Sequence, residues 1–159
     1  MQHSTKRLAA MAALMTMSCG GPAMAHITLP PEPASAGSSY EAAFRVGHPC
    51  HGAELTTGVE VALPKGFVFA SAQPRPGWAL DAKPDKVIWT VTDISQAIAT
   101  GTKTMFVLSG KLPAQAGTMW FKVRQTCDNS VADWDQIPGQ DGVGDKPERP
   151  AARLEVIAP

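Results

Sequence analysis

"SSYEAAFRVG", residues 38–47, alternates as a half-buried strand does: Tyr40, Ala42, Phe44 and Val46 fall on one side, Ser39, Glu41, Ala43 and Arg45 on the other. Successive strand side chains point to opposite faces, so the first set is expected in a core and Glu41 on the outward face. "TTGVEVALP" (56–64) repeats the pattern, with Val59, Val61 and Leu63 opposed to Glu60 and Ala62. Further segments rich in Val, Thr, Phe and Trp lie at 26–30, 86–92, 103–112, 118–127 and 152–158, with Gly/Pro turns between them. No ten-residue stretch sustains a helical period. Short strands at this spacing predict an all-β chain, an antiparallel β-sandwich of immunoglobulin or cupredoxin type.

The connections follow from their residues. "AQPRPGW" (72–78) is a turn, because proline fixes φ and glycine permits the reversal. "DISQAIATG" (93–101) is the one candidate helical segment, capped by Asp93 and ending at Gly101. "QIPGQDGVGDKPERP" (136–150) reads as a loop. Trp89 and Trp120, inside strands, are expected in the core, and Trp78 as a lid over one end of the sandwich. Trp134, between Asp133 and Asp135, is expected near the surface.

Outward from the first strand, residues 1–25 have a different character. Lys6 and Arg7 precede the apolar run "LAAMAALMTM" (8–17) and the small-residue tripeptide Ala23-Met24-Ala25, the order of a secretory signal with its cleavage site. The apolar run is about ten residues where a membrane-spanning helix needs about 20. A removed signal at 1–25 and one domain at 26–159 are therefore expected, with the protein exported to the periplasm or beyond. Lipid attachment at Cys19 is the competing reading of the same segment. Removing Lys6 and Arg7 from 14 basic residues leaves 12 against 14 acidic ones, a balance that offers nothing to nucleic acid or to an anionic membrane.

Past the signal only Cys50 and Cys127 remain, and two cysteines in an exported chain read first as a disulfide. A pair of soft metal ligands is the alternative, the more so because "GHPCHG" (47–52) sets His48 and His51 about Cys50. His48 and His51 are expected as exposed loop residues, with accessory copper contact as the other reading. Only Met105 and Met119 lie beyond the signal, which disfavours a methionine-rich Cu(I) site.

Cleavage after Ala25 changes the chemistry of His26. A terminal histidine offers a free α-amine, of ordinary pKa about 7.7 to 8.0, and an imidazole, about 6.5, so a metal can displace both protons near neutrality. Nitrogen-rich tetragonal sites suit Cu(II), which also heads the divalent affinity order.

From His26 onward the chain resembles the YcnI-like family of bacterial copper-binding domains. The resemblance rests on "AHITLPP" (25–31), "AGSSYEAAFRVGHPC" (36–50), "TTGVEVALPKGF" (56–67), "PRPGW" (74–78) and "VADW" (131–134), in that order. It implies a mono-histidine brace: Cu(II) held by the amine and imidazole of His26, with Glu41 as the strand carboxylate at the metal and Trp134 close by. It further implies a non-enzymatic role in copper trafficking or homeostasis, with an envelope copper transporter as partner and membrane association only through that partner. A copper oxidoreductase, a CopC-like carrier and a metal-free structural sandwich are the other readings of the same features.

Overall fold

The computed structural model describes residues 26–159. The expected signal segment, residues 1–25 with Cys19, lies outside the described residues. In chain order the elements are β1 (Ala34–Ser35), β2 (Ser39–Val46), β3 (Leu55–Ala62), β4 (Val68–Ala72), β5 (Trp78–Ala82) and β6 (Lys86–Val91). A 3₁₀ turn (Ile94–Gln96) leads to β7 (Ile98–Ala99) and β8 (Thr104–Lys111), then β9 (Gly117–Phe121), β10 (Val123–Cys127), β11 (Val131–Trp134) and β12 (Ala152–Ile157).

These strands form a sheet of order β11-β10-β3-β6-β5, with β7 also on β3, a sheet of order β2-β8-β4, and a small sheet of order β1-β12-β9. All pairings are antiparallel except β1 with β12. The first two sheets face one another across the core: Trp89 of β6 meets Phe106 of β8 edge to face, with 5.4 Å between ring centroids. Phe44 of β2 meets Phe121 of β9 in the same way at 5.5 Å. The chain is thus the all-β sandwich that strand periodicity predicts. In β2, Ala42, Phe44 and Val46 are buried while Glu41 and Arg45 face out.

The structure adds detail that alternation does not carry. The segment 118–127 is two strands that meet at Lys122, where the chain exchanges β12 for β3 and β11 as its partners. β4, β5 and β11 end their sheets; β4 and β5 expose much of their length, while β11 keeps Ala132 and Trp134 buried. At 26–30 the described chain makes a bridge through Thr28 rather than a full strand. The helical segment contracts to Ile94–Gln96, capped by Asp93, whose side chain accepts from the Ser95 amide at 3.0 Å.

Glycine is required at two positions near these turns. Gly77 has φ +71°, and a Cβ there would meet Gln96 at 2.4 Å. Gly110, in β8, lies under Phe67: a Cβ there would meet the ring at 2.4 Å and the Val68 carbonyl oxygen at 2.6 Å. Trp78, the expected lid, is buried, with its indole donating to the Gln96 carbonyl at 2.9 Å. Trp120 departs from expectation: it is half-buried on the outer side of β9, because Met119 and Phe121 take the inward positions.

Cys50 and Cys127 form a disulfide, with their Cα atoms 6.0 Å apart across 77 residues. It fastens the loop after β2 to the end of β10.

Candidate metal centre

His26 is positioned by main-chain pairing. The Thr28 amide donates to the Arg45 carbonyl at 3.4 Å and the Arg45 amide to that of Thr28 at 2.9 Å, which lays the N-terminal segment along the edge of β2. Ile27 and Leu29 turn into the core, 2% and 8% exposed, so His26 and Thr28 take the alternate direction. The His26 imidazole is half-buried and stands edge to face against the Trp134 indole, with ring centroids 6.0 Å apart and planes at 68°. Its Nε2 atom is buried and has no hydrogen-bond partner among the described residues, an unmet polar group of the kind that calls for an explanation.

Trp134 is buried, only 8% exposed, although acids flank it. The period of β11 resolves the conflict: Ala132 and Trp134 point inward, and Asp133 points out to Arg124 on β10, with oxygen–nitrogen distances of 2.7 and 3.1 Å. Arg124 holds the Asp133 carboxyl below its ordinary pKa, chiefly by this hydrogen bond; burial opposes the shift, and the charges of Arg124 and then Arg149 add to it. The Trp134 Nε1 donates to the side-chain oxygen of Gln125 at 3.0 Å.

Glu41 is placed apart from these two. It pairs with Ser109 across β8 and lines a cavity of ≈ 430 Å³ with Tyr40, Phe69 and Lys111. Because the N-terminal segment runs antiparallel to β2 from Thr28–Arg45, His26 and Glu41 lie on opposite sides of that bridge. At about 3.3 Å per residue the separation along the edge is on the order of 20 Å. The structure brings His26 and Trp134 together and leaves Glu41 out.

Two residues not singled out by sequence reasoning stand nearer. Glu148 lines both the groove of ≈ 600 Å³ that contains His26 and the neighbouring cavity of ≈ 650 Å³ that contains Trp134, His48 and His51. Its neighbour Arg149 is held by Gln136, whose side-chain oxygen accepts from the Arg149 amide at 2.8 Å. Gln125, fully buried, is the other. Its signal in the sequence is a polar residue in phase with Val123 and Cys127 on an inward face. His48 and His51 are exposed at the cavity's mouth. Among the described residues no three His, Cys, Asp or Glu side chains converge into a metal cluster.

Chemically, then, the region offers an imidazole, an indole wall, a nearby carboxylate and, if the chain is cut before His26, an amine. These donor types fit a single divalent copper ion better than a closed zinc site, which requires about four protein ligands.

A family model described as a domain of unknown function, DUF1775, matches residues 26–87 and 79–156. The copper-binding protein CutI of Bacillus subtilis (strain 168) is 30% identical over 119 residues, which cover 71% of this chain and 56% of CutI. The match therefore spans little more than half of that relative. Among solved structures, an uncharacterized protein from Nocardia farcinica with an immunoglobulin-like fold superposes with a TM-score of 0.68 at 28% identity, over 82% of this chain and 97% of that one. The seventh ScaB type I cohesin of Pseudobacteroides cellulosolvens has a TM-score of 0.50 at 10% identity, over 84% of this chain and 92% of its own, a likeness of fold alone.

Proposed function

The chain belongs to the DUF1775, YcnI-like family, and on that premise we propose that it is an exported protein that binds Cu(II) at His26 and takes part in copper trafficking or homeostasis in the cell envelope. The observation that carries this reading is the pairing of His26 with Trp134, with one imidazole nitrogen buried and, among the described residues, unpartnered. A processed terminus at His26 supplies the second nitrogen, and amine and imidazole then close one chelate ring on the ion. The indole excludes water on one side and presents a face that attracts cations. Glu148, which lines the cavities of both His26 and Trp134, takes the oxygen-donor part that the resemblance gives to Glu41.

Holding and passing on the ion requires no reaction, and the proposed role is that of a carrier or buffer rather than an enzyme. Delivery to a membrane copper transporter is part of the proposal. Among the described residues no helix is long and apolar enough to cross a membrane.

The test is a Cu(II) titration of protein beginning at His26 beside protein that retains Ala25. The first is expected to form a tight one-to-one complex and the second to bind far more weakly. Equal binding by the two would exclude the amine, and no binding by either would exclude the copper site.

A further inference from the structure

Gln125 is a polar side chain with no exposure at all, in the middle of β10. Burying an amide is costly unless its groups are hydrogen-bonded. Here the bonds are made in full: Nε2 donates to the His48 carbonyl oxygen at 2.7 Å and to Thr56 Oγ1 at 2.7 Å, while Oε1 accepts from Trp134 Nε1 at 3.0 Å. Both amide hydrogens are used, so the amide plane cannot turn without losing bonds to two different elements.

Leucine at this position alone would leave the His48 carbonyl oxygen, the Thr56 hydroxyl and the Trp134 N–H without their partner, so the network contributes to stability. Stability alone would be served as well by apolar side chains at all of these positions, since replacing both partners of a hydrogen bond is nearly neutral. What the amide adds is direction. Thr56 on β3 and His48 on the disulfide-fastened loop fix Gln125, and Gln125 fixes the indole that stands against His26.

We propose that Gln125 is a positioning residue of the metal centre, holding Trp134 in the orientation that shapes copper binding at His26. The proposal rests on the copper reading of His26 above, and its test has a part that does not involve metal.

The experiment compares the exported, processed protein with Gln125→Leu, Thr56→Val, Trp134→Phe and the Gln125→Leu/Trp134→Phe double variant. Without metal, proton NMR follows the His26 ring signals, which the adjacent indole displaces by its ring current, and hydrogen exchange follows the Trp134 indole N–H. With metal, Cu(II) affinity and the copper EPR spectrum are recorded.

Gln125→Leu is expected to move the His26 signals toward those of free histidine, to speed exchange of the indole hydrogen and to weaken Cu(II) binding about tenfold, the scale of one or two lost hydrogen bonds. Thr56→Val, which removes one anchor of the amide, shifts the same signals less. In the Trp134→Phe background Gln125→Leu is expected to change affinity no further. Unchanged His26 signals in Gln125→Leu, or an equal added loss in the Trp134→Phe background, would overturn the proposal. If Gln125→Leu does not fold, the His26 signals in Thr56→Val decide it, and their constancy counts against it. If wild-type protein takes up no Cu(II), the copper reading fails, while the metal-free signals still report whether Gln125 holds the pair.

Discussion

His26 and Trp134 stand edge to face, 6.0 Å between ring centroids, although 108 positions separate them in the chain. Two independent main-chain pairings create the contact. Thr28 with Arg45 brings the N-terminal segment to β2, and β11 with β10 brings the indole to the same margin of the sandwich. The first expected consequence is optical. Cu(II) is expected to quench tryptophan fluorescence, and most of the quenching is expected to disappear in Trp134→Phe but to persist in Trp89→Phe, whose indole is sealed in the core. Trp134→Phe also leaves the Gln125 oxygen without its donor, a loss of about 1 to 3 kcal/mol readable by urea unfolding.

The two carboxylates make a second prediction. Glu148→Gln is expected to weaken Cu(II) binding several-fold, because this side chain lines the cavities of both His26 and Trp134. Glu41→Gln is expected to leave affinity and stability within about 0.5 kcal/mol of wild type, as for an exposed strand position free of special contacts. Isothermal titration of both variants reads the difference. A loss confined to Glu41→Gln would restore the strand acid to the site.

Strands with one wholly buried face were legible from residue order alone. Phe44 and Val46 against Glu41 and Arg45 announce β2 and its inward side. β4 and β5 were not, because these edge strands expose residues on both faces, so that "VFASA" and "WALDA" carry little alternation; β11 was not, because its alternation runs for only four residues with acids on either side of Trp134. The break at Lys122 is set by which strands pair on either side, and β12 lies some thirty residues downstream. At the candidate site, the closeness of His26 and Trp134 was legible through the family pattern. The placement of Glu41 was not, since it depends on the direction in which the N-terminal segment crosses β2. Gln125 was visible in principle as an amide among inward-facing residues, but its partners on β3, β11 and the 47–52 loop emerge only when the sheets assemble.

A third prediction concerns the disulfide. Closing a loop of 77 residues restrains the unfolded chain, and the chain-entropy model assigns about 4 kcal/mol to such a bridge, with measured values commonly between about 2 and 4. The Cys50→Ala/Cys127→Ala variant is expected to lose that much in denaturant unfolding. Copper binding is expected to weaken as well, because Cys50 anchors the loop whose His48 carbonyl holds Gln125. Protein treated with reductant under mild denaturation is expected to reproduce both losses, and reoxidation to reverse them.

The fourth prediction is a pH dependence with a defined sign. Asp133 and Arg124 face each other across β10 and β11, and the hydrogen bond from Arg124 lowers the Asp133 pKa below its ordinary value of 3.8. A carboxyl whose folded pKa is depressed binds its proton more readily when unfolded, so it stabilises the fold above the unfolded value. That contribution is complete at neutral pH and fades as pH falls from 3.8 through the lowered folded value. Both side chains are substantially exposed, Arg124 at 58% and Asp133 at 43%, so solvent screens the pair and the effect is small and sensitive to salt. Asp133→Asn is therefore expected to lower the unfolding midpoint slightly at pH 7 in dilute buffer. The difference is expected to shrink in high salt and to vanish at the acid end of the titration. A difference that grew toward low pH would assign Asp133 the opposite role, and thermal unfolding at several pH values measures which holds.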